Sequence, residues 1–355
     1  MLSSVLIVLM AACTEQTPLP VLEVESTGHP SGCAPGHEAG VSAPYCGIID
    51  GCAVFAGGAN FPETPAKDGG AKRFYSDILR LTDGQWEKIG DLPKTAAYGG
   101  CLCFADRLIL IGGNDGRGTS SDVYSLHITD GKAETSTCTS MPYAIEQAGY
   151  AVEGNRIFVF GGISEGRPFT KVLAGTVNGT EITWEETAQM PEPMVQPVAF
   201  VHKGRLYVWG GFDPEGKTIS NKGWCLDSTS GQWRQIGGSP DGNTLTGASG
   251  IVLENGKLAV IGGVDNDVFN RGINVSTPDE KMAYMTMEPS EYRFNSTLRI
   301  FDPETEEWTV AGQAPQLALA GAGIAADGSY IHIIGGELKP GIRTPDTWKL
   351  KIQTK

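Results

Sequence analysis

Six times along this chain a short apolar strand runs into a pair of glycines: CAVFAGG (52–58), RLILIGG (107–113), RIFVFGG (156–162), RLYVWGG (205–211), KLAVIGG (257–263) and YIHIIGG (330–336). The first glycines of the pairs, Gly57, Gly112, Gly161, Gly210, Gly262 and Gly335, are separated by 55, 49, 49, 52 and 73 residues. A period near 50 marks a repeat architecture, in which each copy buries its apolar face by packing against its neighbours. A Gly pair lets the backbone turn sharply and pack closely where a Cβ would clash. Another strand precedes each pair, as AFVH (199–202) precedes Arg205. An alternating strand follows, as SDILRL (76–81), and then in most copies a strand bearing Trp86, Trp184, Trp233 or Trp308. Strands this short and evenly spaced suit four-stranded sheets set radially around a channel, which leaves only short edges exposed.

The pattern therefore predicts an all-β chain, one six-bladed kelch-type β-propeller, with the tryptophans filling the gaps between blades. A length of 355 residues would otherwise suggest two domains. The last copy ends without a Trp strand, so its outer strand must come from elsewhere. VLEVE (21–25) alternates and is a candidate to close the ring, the other reading being a plain tether. The 73-residue interval is too long for blade strands and predicts a partly helical excursion from one face, around DNDVFNRG (265–272) and DEKMAY (279–284).

The formal charge of −14 and the absence of a Lys/Arg run argue against a nucleic-acid partner. Residues 1–12 read as a lipoprotein-type signal peptide with an apolar stretch too short to span a bilayer. Met10-Ala11-Ala12-Cys13 resembles a lipobox, so Cys13 is the expected lipidation site. Residues 13–45 would then be a lipid-anchored segment and 46–355 the propeller, in the periplasm or on the outer membrane of a Gram-negative cell envelope. A lipid at Cys13 would be the sole membrane attachment. Of the other seven cysteines, Cys33 and Cys46 flank a loop and form the expected disulfide, while Cys101 and Cys103 read as small core residues. No C-x-x-C occurs, and the five histidines have no ligand spacing, so no metal site is expected. The sequence does not settle the oligomeric state.

GGELKPGIRT (335–344) places a carboxylate and a guanidinium six positions apart across a Pro-Gly turn. From the residues alone this is either a surface ion pair or a site. Candidates at equivalent positions after the Gly pairs are Asn60, Asn114, Asp213 and Asp265, which also suit turns. Tyr98, Glu146 and Gln147 lie at strand entries that could face the same mouth, and Asn270 and Arg271 stand at the base of the long insertion as lid candidates.

GGELKPGIRT, GGVDNDVFNRG (262–272) followed by FNSTLRIFDPETEEW (294–308), and AGGANFPE (56–63) followed by KRFYSDILRL (72–81) resemble the kelch-propeller N-acetylneuraminate epimerases, or sialic acid mutarotases. The order of these segments is similar to that of the cyclically permuted branch, a rearrangement that a closed ring of blades tolerates. The chain departs from the founding members at Ala96, where they carry Arg before Ala-Tyr-Gly. The resemblance implies interconversion of the α and β anomers of free sialic acid without metal or organic cofactor. It also implies Glu337 as the base and Arg343 as its partner, clamping the sugar carboxylate and lowering the pKa of Glu337. A non-catalytic kelch scaffold binding glycan or protein is the alternative. A sialidase is disfavoured, because no S-x-D-x-G-x-T-W box occurs and STSGQW (228–233) is a kelch turn.

Overall fold

A computed structural model describes residues 18–227 and 229–352, and the lipobox with Cys13 lies outside the described residues. Six antiparallel four-stranded sheets follow one another along the chain. The first blade runs Tyr45–Ile49, Cys52–Ala56, Asp77–Thr82 and Gln85–Asp91 from the innermost strand outward. The innermost strands of the next five blades are Gly100–Cys103, Gly149–Glu153, Val195–His202, Ala248–Val252 and Gly323–Ala326. Each contacts the innermost strands on both sides, so the ring is closed around a central channel.

The gaps between blades are filled as the sequence predicts. Trp86 packs edge-on against Phe55 and donates its indole N–H to Thr347 Oγ1 of the sixth blade at 3.0 Å. Trp184 and Trp233 donate to the carbonyls of Thr139 and Gln189 at the ends of the preceding blades. Trp308 stacks edge-on against Trp209 of the fourth blade. Each indole thus joins apolar burial to a satisfied or aromatic contact across a blade boundary.

The N-terminus does close the sixth blade, in a register later than expected. Val24–Gly28 pairs antiparallel with Thr347–Lys351, whereas Val21 forms a parallel bridge to Gln313 of the fifth blade. Leu22 and Val24 both pack against the apolar cluster between blades five and six. The ladder is fixed by the Glu25–Lys349 ion pair at 2.8 Å and the Thr27–Thr347 hydroxyl pair at 2.7 Å. Removing residues through Gly28 is expected to lower the melting temperature by at least about 5 °C, the shift that losing a few kcal/mol gives in a chain this large. A truncated protein melting with the intact one would show that the strand contributes nothing.

The expected disulfide is not formed. Cys33 and Cys46 are both free thiols. Cys33 donates to Pro30 O from a tight turn, while Cys46 lies on the innermost strand, against Gly323 of the sixth blade. In Gly100–Cys103, Leu102 joins one apolar cluster and half-buried Cys101 packs against another, as expected of it, whereas Cys103 is exposed.

The long interval forms two helices, α1 (Asn266–Ile273) and α2 (Pro278–Thr286), then a short 3-10 turn at Pro289–Tyr292. Asp265 caps α1 by accepting from Val268 N, and Thr277 with Glu280 forms a capping box on α2. The insertion leans over the last blade: α2 touches the 3-10 turn Ala66–Asp68 of the first blade, and Lys339 Nζ donates to Met287 O at 2.7 Å.

Candidate active site at the channel mouth

One residue at the entry of each innermost strand adopts a left-handed conformation: Ala43, Tyr98, Gln147, Gln196, Gly247 and Gly321, with φ between 53° and 68°. Their backbones form a closed ring of hydrogen bonds. The N–H of Ala43 donates to Gly321 O, Tyr98 to Ala43, Gln147 to Tyr98, Gln196 to Gln147, Gly247 to Gln196 and Gly321 to Gly247, all at 2.8–3.1 Å. Glycine adopts this geometry freely, whereas Tyr98, Gln147 and Gln196 hold it at a cost of about 1 kcal/mol or more each. Strain held at three successive blades places three large polar side chains at one mouth of the channel.

That mouth opens into a cavity of about 230 Å³, lined among others by Ser42, Tyr98, Gln147, Gln196, Ala320 and Glu337. The side of Glu337 is built from small residues, Ala43, Gly247, Ala320 and Gly321. The opposite side carries Tyr98, Gln147 and Gln196, the two amides joined by a 2.7 Å hydrogen bond.

Glu337 is delivered by the sixth Gly pair. Gly335 and Gly336 have φ of 57° and 105°, and a Cβ on Gly335 would lie 2.3 Å from Val41 O. Glu337 then exchanges backbone hydrogen bonds with Ala320 at 2.7 and 3.0 Å, which fixes it beside the ring. A two-stranded hairpin, Glu337–Lys339 with Ile342–Arg343, sets Arg343 opposite Glu337. Its turn uses Gly341 at φ 82°, where a Cβ would press on Ala66 at 2.6 Å.

Arg343 Nη2 lies 2.6 Å from Glu337 Oε1, its Nε donates to Ser42 Oγ at 3.1 Å, and the guanidinium sits 4.9 Å above the ring of Phe61. The Arg343 side chain is 2% exposed against 25% for Glu337, so the cation lies beneath the carboxylate and the carboxylate faces the cavity. The expected depression of the Glu337 pKa does not occur. Burial pushes this carboxyl above its usual range, and the opposing influences of Arg343, Lys72 and a Ser42 hydrogen bond do not cancel it. Of the Arg343 fork, Nη2 is on Glu337 and Nε on Ser42, with the guanidinium over Phe61, while Nη1 is buried without a partner among the described residues.

The structure brings Glu337, Tyr98 and Gln147 into one cavity. Asn114 and Glu146 stand beside it as a self-satisfied group, with Asn114 Nδ2 donating to both Glu146 oxygens at 3.2 and 3.3 Å and Thr119 Oγ1 donating to one of them. Asn60 is fully buried: its amide donates to Gly36 O and Gly40 O and accepts from Tyr75, pinning the N-terminal segment. Asp213 accepts from Glu215 N in a turn. Asp265 is a helix cap paired with Arg293. Asn270 accepts from Asn274 on the exposed side of α1, and Arg271 contacts Met287 Sδ beside a separate cavity within the insertion. Ser42, Phe61, Lys72 and Gln196 were not anticipated. Gln196 was within reach of the repeat, because it follows Tyr98 and Gln147 at the same spacing of 49 residues. Among the described residues no group of three His, Cys, Asp or Glu side chains is arranged to hold a metal ion.

A closed kelch-type propeller with a carboxylate–guanidinium pair at one mouth of its channel is the class these features define. A profile of the N-acetylneuraminate epimerase family matches residues 19–135 and 138–355, and the chain belongs to that family. It is similar to the N-acetylneuraminate epimerase of Yersinia pestis (strain Pestoides F), 30% identical over 189 residues, covering 48% of this chain and 47% of the relative. The protein of that name from Haemophilus influenzae (strain 86-028NP) is 28% identical over 237 residues, covering 63% and 61%. The chain thus spans about half to three-fifths of the length of these curated relatives. The solved structure of YjhT superposes with a TM-score of 0.54 at 25% identity, covering 61% of this chain and 64% of that one.

Proposed function

We propose that this protein is a cofactor-independent mutarotase that interconverts the α and β anomers of free N-acetylneuraminic acid. The observation that carries the reading is Glu337, a carboxylate with raised proton affinity that faces a sugar-sized cavity and is backed by a buried arginine. Ring opening removes the proton from the anomeric hydroxyl, breaks the bond between the anomeric carbon and the ring oxygen, and protonates that oxygen. Closure on the other face of the resulting ketone reverses each step. One carboxyl can take the first proton and return it to the ring oxygen. A pKa lifted toward the working pH suits that double duty better than a depressed one, because both protonation states are then accessible. The polar side of the cavity, Tyr98, Gln147 and Gln196, supplies donors and acceptors for hydroxyls and the acetamido group.

Partial coverage of the relatives is in keeping with the permuted blade order, since a collinear alignment cannot follow the blades across the junction. The test is magnetisation exchange between the anomers of N-acetylneuraminate, read by NMR with catalytic amounts of protein. Exchange well above the buffer rate is expected. Binding without faster exchange would instead support the non-catalytic kelch binder, and an inert mixture would remove both readings.

A further inference from the structure

Resting on the mutarotase reading, we infer that Lys72 is the residue that selects acidic sugars, holding the substrate carboxylate where Tyr98 divides the Glu337 cavity from the adjoining cleft that Lys72 lines. Lys72 comes from the loop that follows the first Gly pair. Its ammonium donates to Tyr98 Oη at 2.9 Å and lies 4.7 Å from the centre of the Tyr98 ring. It also lies 5.8 Å from the centre of the Phe61 ring, the same ring that carries the Arg343 guanidinium. Lys72 and Arg343 are therefore neighbours across one aromatic side chain, at different depths.

The two cations are differently disposed toward a ligand. Arg343 is buried and already paired, and the one nitrogen of its fork without a partner, Nη1, is buried too. Lys72 is exposed and has no carboxylate partner among the described residues, its polar contact being the Tyr98 hydroxyl. An ammonium has three donors and no acceptor, so two remain for a ligand. Because Lys72 donates into the Tyr98 oxygen, the phenolic hydrogen is directed elsewhere, and Tyr98 itself lines the cavity. No direct ion pair joins Lys72 to Glu337, although the Lys72 charge is felt at that carboxyl. In a sugar whose carboxylate is borne on the anomeric carbon, the acidic group and the reacting oxygens are attached to the same carbon. A base in the cavity and an unpaired cation held on the Tyr98 hydroxyl beside it fit that geometry.

The experiment compares N-acetylneuraminate with its C1 carboxamide, which keeps the shape and removes the charge, in wild type, Lys72→Met and Lys72→Arg. Met preserves the apolar stem that covers Tyr98 and Phe61. Wild-type exchange of the acid comes first; its failure would sink the mutarotase reading itself. Given that activity, Lys72→Met is expected to lower kcat/KM for the acid about 10- to 100-fold, mainly through KM, the loss that removing a charge-assisted hydrogen bond gives. The carboxamide should change less than about threefold, well inside that charge-dependent loss. Lys72→Arg should recover much of the acid activity. Equal losses for acid and carboxamide, or no loss for the acid, would overturn the role of Lys72 while leaving the mutarotase reading in place.

Discussion

Glu337→Gln is expected to slow catalysed anomer exchange by at least about 10²-fold, the lower end of what a positioned acid–base group contributes, with the propeller intact. The amide keeps the size and hydrogen bonds of the carboxyl and cannot accept the proton. The same substitution reports on stability. Because the folded-state pKa of Glu337 is raised above 4.5, the stabilising influence of this group is full below that value and is lost as pH rises through the folded pKa. Ionised Glu337 is thus a cost at neutral pH that Gln removes. The variant should melt at or above the wild-type temperature at pH 7, and the difference should close below about pH 4, where the wild-type carboxyl is protonated in both states. Wild-type exchange rates in the variant would discard Glu337 as the base. A melting temperature several degrees below wild type at pH 7 would mean that its ion pair with Arg343 outweighs desolvation.

The fold was legible because a propeller writes its period into the chain. Gly-Gly after each apolar strand and Trp on the outer strands both follow from steric demands that recur in every blade. What the period cannot encode is how residues from different blades meet. Asn114 directly follows its Gly pair and reaches Glu146 beside the mouth, whereas Asn60 stands one residue further from its pair and is sealed under the N-terminal segment. Asp265 stands at the same offset as Asn60 and is consumed in capping α1. The raised pKa of Glu337 is hidden from the sequence for a related reason. Six positions of sequence show that Arg343 is near, which lowers a carboxyl pKa, but not that both groups lie against a closed ring of backbone, which raises it more. Lys72 escaped notice because nothing in KRFYS (72–76) marks it. Its importance comes from Phe61 and Tyr98, residues from different parts of the ring.

Arg343 separates two roles that a guanidinium beside a carboxylate could play. If it is a positioning residue under Glu337, Arg343→Ala removes the largest influence that holds the Glu337 pKa down, so the carboxyl becomes still harder to ionise. Exchange at pH 7 is then expected to fall toward that of Glu337→Gln, at least about 10-fold, because less of the base form is present to do the acid–base work. Raising the pH should restore much of it, with the acid limb of the kcat profile moved to higher pH than in wild type. Arg343→Lys should fall between, since it keeps a charge but loses the fork that reaches Ser42 and Glu337 together. The competing role, a clamp on the sugar carboxylate, has a different signature. KM for the acidic sugar would rise, the carboxamide would be unaffected, and the pH profile of kcat would stay where it is. That result would return the carboxylate to Arg343, require its buried guanidinium to turn into the cavity on binding, and leave Lys72 as a rim charge without a ligand.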